Sequence, residues 1–324
     1  MTGRLPKEKF PLRPRLVFMG TPEFAVPSLR ALIGAGHNVV AVVSQPDRPR
    51  GRGRKIISSP VKQVARDHGL ETLEPEEASD ERFCAFIRGK KPDLIIVVAF
   101  GQILKKNLLE IPRWGIVNVH ASLLPKLRGA APIQWAILKR EPVTGLTIMR
   151  MDEGLDTGPI LFQAKVPILD NETAGHLHDR LAQRAGKLIV EFLEKMVEDA
   201  IVEIPQDHSN ASYAPKIEPS LYEVDWRESA EQVSARIRAF DPRPGAYTLF
   251  QGQRIKLFAS RVVDAGRVDV VAGKILAHID KELLVETGRG VIAIREMQYP
   301  GRKKLPVDDF LRGFLIPEGS ILGK

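Results

Sequence analysis

The chain has 324 residues, of which 44% are hydrophobic and 27% charged, and its formal net charge is +8. This length is sufficient for two domains, and the composition is ordinary for a soluble globular protein. The single cysteine, Cys84, excludes an internal disulfide and a cage of thiolate metal ligands, and it fits a reducing compartment. The sequence has no apolar run of about 20 residues that could cross a bilayer, and no apolar core of the signal-peptide kind follows its basic N-terminus. We therefore expect a cytoplasmic protein without a membrane partner.

Most of the positive charge lies near the N-terminus. Residues 1–55 carry 11 Lys and Arg against 3 Asp and Glu, whereas residues 56–205 carry 19 against 21 and residues 206–324 carry 18 against 16. Residues 1–14 form a basic, Pro-containing tail that is predicted to be disordered. In the segment Arg48–Lys55, cations alternate with Pro and Gly. This pattern suits contact with a phosphate backbone, and a solvated loop kept soluble by its charge explains it equally well.

The first two thirds of the chain alternate predicted strands and helices. In chain order these are a strand (15–19), a helix (24–35), a strand (38–43), a helix (60–68), strands (93–99 and 116–120), a helix (130–139), strands (146–151 and 160–167) and a helix (174–199). Residues 93–99 are an almost continuous apolar run, which is typical of a strand buried on both faces of a parallel sheet. The alternation predicts an α/β fold with an open, mostly parallel, Rossmann-like sheet.

Two common ligands of such a sheet are not supported by the sequence. The turn after the first strand, Gly20-Thr-Pro-Glu, has one glycine and lacks the Gly-x-Gly-x-x-Gly pattern of dinucleotide sites. His176 and His178 are two apart in a predicted helix, where their side chains point in different directions, so no metal site is expected.

The composition and the hydrophobic periodicity of the sequence change after Ile204. Residues 205–217 are polar, flanked by Pro and aperiodic, and they are predicted to form a linker. Beyond them we predict a helix (233–240) and five short strands (246–251, 254–261, 273–279, 283–287 and 291–298). Turn residues at intervals of 8–12 residues predict a small β-barrel over 218–324.

Three polar residues form a candidate catalytic set. Alternation in the strand 116–120 places Asn118 and His120 on one face at the strand's end, and Asp156 follows 36 residues later on a Gly-bounded loop. An amide that polarises a carbonyl, an imidazole that moves a proton and a carboxylate that supports the imidazole suit acyl transfer without an enzyme nucleophile. Taken singly, each has a structural reading: a hydrogen-bonded histidine, an asparagine cap and a loop carboxylate. Aspartic proteases also carry Asp-Thr-Gly, but they need a second such loop and this chain has one.

Several motifs resemble those of the 10-formyltetrahydrofolate-dependent formyltransferases. The resemblance covers the chain from about Arg15 to the C-terminus, with Leu127 standing where the family usually has Trp. The segments that carry it are Phe18–Leu29, Gln45–Lys55, Asn118–Gln134, Met151–Gly158, Tyr213–Ile217 and Ile237–Tyr247.

The resemblance implies a catalytic domain over 15–204 and an OB-fold-like, tRNA-binding domain over 218–324. It implies that Asn118, His120 and Asp156 are catalytic, and that the donor is 10-formyltetrahydrofolate, with no metal. The folate pocket would be lined by Ser122, Leu123, Leu124 and Pro125. The acceptor implied is methionine esterified to initiator tRNA, and a monomer is expected. The tRNA contacts implied are Arg48, Arg50, Arg52, Arg54 and Lys55.

Three other functions are alternatives to this one. A formyltransferase for a small amine, or a formyltetrahydrofolate hydrolase, would share Asn118, His120 and Asp156, but the basic segment and the predicted barrel argue against both. An RNA-binding protein without catalysis would not need the three residues intact.

Overall fold

The structure is a computed structural model that describes residues 6, 8–50 and 55–323. Its strands are β1 (Arg15–Gly20), β2 (Asn38–Val43), β3 (Arg48–Arg50), β4 (Lys55–Ile57), β5 (Thr72–Leu73), β6 (Leu94–Val98), β7 (Ile116–His120), β8 (Val143–Arg150), β9 (Ile160–Pro167), β10 (Ala246–Phe250), β11 (Gln253–Asp264), β12 (Ile275–Ile279), β13 (Glu282–Glu286), β14 (Val291–Gln298) and β15 (Leu305–Pro306). Its α-helices are α1 (Val26–Gly34), α2 (Pro60–Asp67), α3 (Glu81–Lys90), α4 (Lys106–Leu109), α5 (Pro132–Leu138), α6 (Ala174–Val197), α7 (Ala230–Ala239) and α8 (Val307–Gly313).

The described chain divides into two compact units. The first contains the residues up to Gly129, together with Thr144–Val166 and His178–Tyr213. The second contains Ala130–Val143, Pro167–Leu177 and the residues from Ala214 onward.

The first unit is built on a seven-stranded sheet with the order β5-β2-β1-β6-β7-β8-β9. β1 pairs in parallel with β2 and β6, β6 pairs in parallel with β7, and β8 joins β7 in the antiparallel sense. All five residues of β6 are buried, which agrees with the apolar run seen in the sequence. The expected parallel-dominated α/β sheet is confirmed.

β7 lies between β6 and β8 in this sheet. Asn118 stands opposite Val97 of β6 and Met149 of β8, and His120 stands opposite Thr147. Both residues are therefore at the carboxyl end of a central strand, where open α/β sheets bind their ligands.

Helix α3 is absent from the elements predicted from the sequence. The Asp80 side chain caps it by accepting hydrogen bonds from the backbone N–H groups of Arg82 (2.9 Å) and Phe83 (3.3 Å). Only Phe83, Cys84 and Ile87 of its ten residues are buried, so the apolar face is short and gives periodicity little to detect.

The second unit carries an antiparallel sheet with the order β10-β11-β14-β13-β12, and β15 pairs with β14. Helix α7 begins at a capping box in which Ser229 and Gln232 bond each other's backbone N–H groups. Its apolar side chains Val233 and Ile237 join the core of this unit. The expected separate β domain in the C-terminal part is confirmed.

Two predictions fall partly outside the described residues. Residues 1–5 and 7 of the predicted tail lie outside them, whereas Phe10 is 4% exposed and packs edge-on against Trp114 with ring centroids 5.2 Å apart. The segment around Phe10 is thus packed rather than solvated. In the basic segment, β3 and β4 form an antiparallel hairpin with Arg50 opposite Lys55, and Arg52 and Arg54 lie outside the described residues.

None of the described helices has both the length and the apolar character that a bilayer span requires.

Candidate active site

The His120 imidazole is held at the end of β7 with one ring nitrogen against the backbone. The side chain is 6% exposed, and Nε2 lies 2.9 Å from the carbonyl oxygen of Leu127. Since a carbonyl can only accept, Nε2 carries a proton and donates it to this oxygen. The second nitrogen, Nδ1, is then the position at which the ring can take up a further proton.

Asp156 lies beside that second nitrogen. Its Oδ2 is 3.6 Å from Nδ1 of His120, which is longer than a hydrogen bond but close enough for an ion pair once the ring is charged. The same oxygen accepts a hydrogen bond of 2.8 Å from the backbone N–H of Gly129. The structure therefore brings together two side chains that are 36 residues apart in the sequence. The carbonyl oxygen of Leu127 fixes the orientation of the His120 ring.

Asn118 is half-buried two residues before His120. Within the described part of the chain its side-chain amide has no hydrogen-bond partner. This amide is free to donate to a ligand at the edge of the sheet.

The loop that carries Asp156 is tightly constrained. Asp152 Oδ1 accepts hydrogen bonds from the backbone N–H of Gly154 (3.0 Å) and from Thr157 Oγ1 (2.7 Å). A Cβ at Gly158 would lie 1.9 Å from the carbonyl oxygen of Arg150, so only glycine fits there. Asp156 itself has φ = +52°, a left-handed conformation that is uncommon for a residue with a side chain.

Sequence reasoning missed Gln206, which it placed in the linker. Gln206 is 6% exposed, and its Nε2 donates to the carbonyl oxygens of Asp156 (2.9 Å) and Gly158 (2.7 Å). Its Oε1 accepts from Nε (3.1 Å) and Nη2 (2.6 Å) of Arg128. At least this part of segment 205–217 is packed into the first unit. A polar, Pro-flanked run carries no local signal that distinguishes it from a free linker.

The expected folate turn, Ser122–Pro125, is held by Thr147 and Gln163. Thr147 Oγ1 donates to the carbonyl oxygen of Ser122 (2.7 Å) and accepts from the backbone N–H of Leu124 (3.1 Å). Gln163 Nε2 donates to that hydroxyl (2.8 Å) and to the carbonyl oxygen of Leu124 (3.0 Å). These backbone groups are thus used within the protein.

Exposure differs along the four residues of this turn. Ser122 and Leu124 are buried, whereas Leu123 and Pro125 are half-buried. Leu123 and Pro125 are the residues with surface left for a ligand.

An ion cluster around the buried Lys62 anchors the start of the basic hairpin. Nζ of Lys62, which is 4% exposed, lies 2.6 Å from Asp47 Oδ2 and 2.5 Å from Glu74 Oε1. The hydrogen bond from Lys62 holds the pKa of Asp47 below its ordinary value. Burial acts to lower the pKa of Lys62, but the two carboxylates outweigh it and raise that pKa.

An imidazole, a carboxylate and a free amide at the carboxyl edge of an α/β sheet are groups that suit a group transferase working by proton transfer and carbonyl polarisation. The chain belongs to the formyl transferase family: residues 14–193 match the formyl transferase family and residues 216–315 match the formyl transferase C-terminal domain. The resemblance inferred from the sequence motifs is confirmed, and the protein is an enzyme of this kind. Among the described residues, no group of three or more His, Cys, Asp or Glu could hold a metal ion.

Within the formyl transferase family, the chain is similar to curated proteins that are named methionyl-tRNA formyltransferase. The chain is 45% identical to the methionyl-tRNA formyltransferase of Pelotomaculum thermopropionicum, covering 96% of this chain and 99% of the relative. It is 46% identical to the methionyl-tRNA formyltransferase of Geobacter sulfurreducens, covering 96% and 97%.

Solved structures share the fold. WlaRD, a sugar 3N-formyl transferase crystallised with dTDP and 5-N-formyl-THF, has a TM-score of 0.65 at 18% identity, covering 90% of this chain and all of that one. HypX from Aquifex aeolicus, in complex with tetrahydrofolic acid, has a TM-score of 0.62 at 20% identity, covering 94% of this chain and 48% of that one.

Proposed function

We propose that this enzyme transfers the formyl group of 10-formyltetrahydrofolate to the α-amino group of methionine on initiator tRNA, giving formylmethionyl-tRNA for translation initiation. Likeness over nearly the whole chain to relatives that bear this activity in their names supports the substrate pair. The observation that carries the mechanism is the 3.6 Å approach of Asp156 to the one ring nitrogen of His120 that is available for a proton.

In this mechanism the amine nitrogen attacks the formyl carbon, and negative charge develops on the formyl oxygen. The Asn118 amide donates a hydrogen bond to that oxygen and stabilises the charge. His120 accepts the proton released by the amine at Nδ1, and Asp156 stabilises the imidazolium that results. When the bond between the formyl carbon and N10 of the folate breaks, the imidazolium returns its proton to N10. No covalent intermediate with the enzyme is required, because the amine is itself a nucleophile.

The folate is proposed to bind along the turn Ser122–Pro125. Leu123 and Pro125 supply apolar contact, while Ser122 and Leu124 form the buried frame that fixes the shape of the turn. The hydrogen bonds of Thr147 and Gln163 keep this frame rigid. No metal takes part in the proposed reaction.

The tRNA is proposed to contact the basic hairpin through Arg48, Arg50, Arg52, Arg54 and Lys55. The hairpin follows β2, and Asp47, Lys62 and Glu74 fix its first strand to α2. Residues 218–324 are proposed to bind tRNA as well. We expect the enzyme to act as a monomer in the cytoplasm.

Acceptor specificity tests this function. The purified protein is incubated with 10-formyltetrahydrofolate and, in separate reactions, methionyl initiator tRNA, free methionine, a small sugar amine or water alone. We expect formylation of the charged tRNA, with rates on the other acceptors lower by orders of magnitude. A preference for a small amine or for water would assign the chain to another formyl-transfer reaction. Tight tRNA binding without formyl transfer would indicate a binding protein.

A further inference from the structure

We propose that Arg128 and Gln206 are positioning residues that hold Asp156 in reach of His120. The inference deepens the proposed function and rests on its Asp156–His120 pair. Neither side chain is placed on the reacting atoms, since their hydrogen bonds go to each other, to His208 and to the backbone of the Asp156 loop. They act on Asp156 through its backbone.

The orientation of the Gln206 amide follows from its neighbours. A guanidinium can only donate and carbonyl oxygens can only accept, so Oε1 must face Arg128 and Nε2 must face Asp156 and Gly158. Every hydrogen-bonding atom of the amide is then used. Its oxygen accepts from two N–H groups of Arg128, and its two N–H groups donate to two carbonyl oxygens. The side chain is a rigid bridge between a buried cation and the backbone of the Asp156 loop.

The positioning role explains why the Arg128 cation is buried, which is otherwise unfavourable. Among the described residues its guanidinium pairs with no carboxylate, and its partners are the neutral amide of Gln206 and His208, whose Nδ1 lies 3.2 Å from Nη1. Burying a cation without a counter-charge is unfavourable, because its lost hydration is not replaced by an opposite charge. A planar fork that points two N–H groups at one oxygen is what fixes Gln206, which a point charge such as lysine would not do.

The backbone of Arg128 also contacts residues 206–212, the segment that contains Gln206. Its N–H donates to the carbonyl oxygen of Ser212 (2.8 Å), and the Leu127 N–H donates to Ser212 Oγ (3.0 Å). The carbonyl of Leu127 orients His120, and the N–H of Gly129 holds the Asp156 carboxylate. One short loop therefore sets both members of the catalytic pair, and Gln206 locks the second one in place.

Asp156 needs such support because of its left-handed backbone, at φ = +52°. This conformation is unfavourable for a residue with a side chain, and it persists only where the surroundings enforce it. Without the two bonds from Gln206 Nε2, the loop is free to relax. A shift of about 1 Å in a catalytic group can cost on the order of 10²-fold in rate.

The test is a double-mutant cycle between Gln206→Met and Asp156→Asn, measured by single-turnover formylation of charged tRNA. In the wild-type background we expect Gln206→Met to lower the rate about 10- to 100-fold, with KM for folate and for tRNA changed by less than about 3-fold. In the Asp156→Asn background the same change should cost less than about 3-fold, because the carboxylate it positions is absent. An equal loss in both backgrounds would overturn the proposal, since Gln206 would then act through the fold.

A second variant separates the two ends of the bridge. Gln206→Glu keeps an acceptor for Arg128 but loses the donors to Asp156 and Gly158, so we expect it to match Gln206→Met in rate while it retains more thermal stability. Rates like the wild type in Gln206→Glu would overturn the positioning role. Gln63→Met, at a surface glutamine of the same unit that donates to Asp67, is the control and should retain full activity.

The outcomes distinguish this inference from the proposed function. Full turnover in Asp156→Asn overturns the pairing of Asp156 with His120, and the positioning role with it. A slow Asp156→Asn enzyme beside a fully active Gln206→Met enzyme overturns the positioning role alone.

Discussion

At the scale of single residues, chemistry depends on which atom of each side chain is already used. The carbonyl oxygen of Leu127 accepts a hydrogen bond from Nε2 of His120, so the proposed base is Nδ1, and Asp156 Oδ2 lies 3.6 Å from that atom. The carbonyl of Leu127 carries this role, although the family usually has Trp at the position, because a backbone group does not depend on the side chain. Leu127 itself is buried with φ = +58°.

We expect His120→Ala and Asp156→Ala each to lower turnover by about 10²–10⁴-fold, since each removes part of one proton-transfer unit. The double variant should be little slower than the slower single variant, because residues that act as a unit are not additive. The measurement is single-turnover formylation, with circular dichroism to confirm that each variant is folded. Nearly normal turnover in His120→Ala would refute the mechanism, and losses that multiply would refute the pairing.

At the scale of elements, the hairpin of β3 and β4 combines a basic sequence with a base that is anchored by ion pairs. The strand Arg48–Arg50 is held by Asp47, whose partner Lys62 lies on α2. The carboxylate of Glu74 completes the cluster from the loop beyond β5. A hairpin with an anchored base and a basic sequence suits contact with a phosphate backbone.

Arg52→Ala should weaken tRNA binding and leave folate binding nearly unchanged. Each phosphate contact that is lost lowers the slope of log affinity against log salt by about one. The measurement is tRNA affinity across a salt series for both proteins, with folate affinity in parallel. Identical tRNA slopes and affinities would show that Arg52 does not contact the tRNA.

Lys62→Met should destabilise the first unit by about 3 kcal/mol, because it leaves two carboxylates facing each other without their cation. The stabilisation depends on pH at both ends. The lowered pKa of Asp47 means that its part is present above its unfolded value of about 4 and is lost as pH falls through the folded pKa.

The raised pKa of Lys62 means that its part is present below about 10.4 and is lost as pH rises through the folded pKa. The measurement is urea unfolding of the wild type and of Lys62→Met from pH 3 to pH 11, which covers both ends. A stability difference that stays constant down to pH 3 would contradict the linkage.

At the scale of the whole molecule, the second unit is assembled from separate parts of the chain. Leu138 of α5 packs against its core, and Trp135 Nε1 donates to the carbonyl oxygen of Pro215 (2.8 Å). Further on, the N–H of Gly175 donates to the carbonyl oxygen of Asp241 (3.0 Å). The unit therefore does not begin at the linker predicted from the sequence.

A fragment of residues 1–213 should not behave as a free-standing domain. It contains α5 and residues 167–177 but lacks their partners, so it should expose apolar surface, bind the dye ANS and unfold at a lower temperature than the full chain. Calorimetry and dye binding are the measurements, and the full chain is the control. A fragment with the full chain's unfolding midpoint and no dye binding would show that these contacts are dispensable.

The sequence by itself determined the local features of this protein. The apolar runs define β6 and β7, alternation places Asn118 and His120 on one face, and the motifs identify the family, because these properties depend on residues that are neighbours in the chain. The tertiary structure alone decided that Asp156 meets Nδ1 of His120, that Gln206 bridges Arg128 to the Asp156 loop, and that α5 belongs to the second unit. The contacts that Asp156 and Gln206 make here join residues 36 to 78 positions apart. Their geometry is fixed by the packing of the whole core and leaves no periodic signal in the sequence.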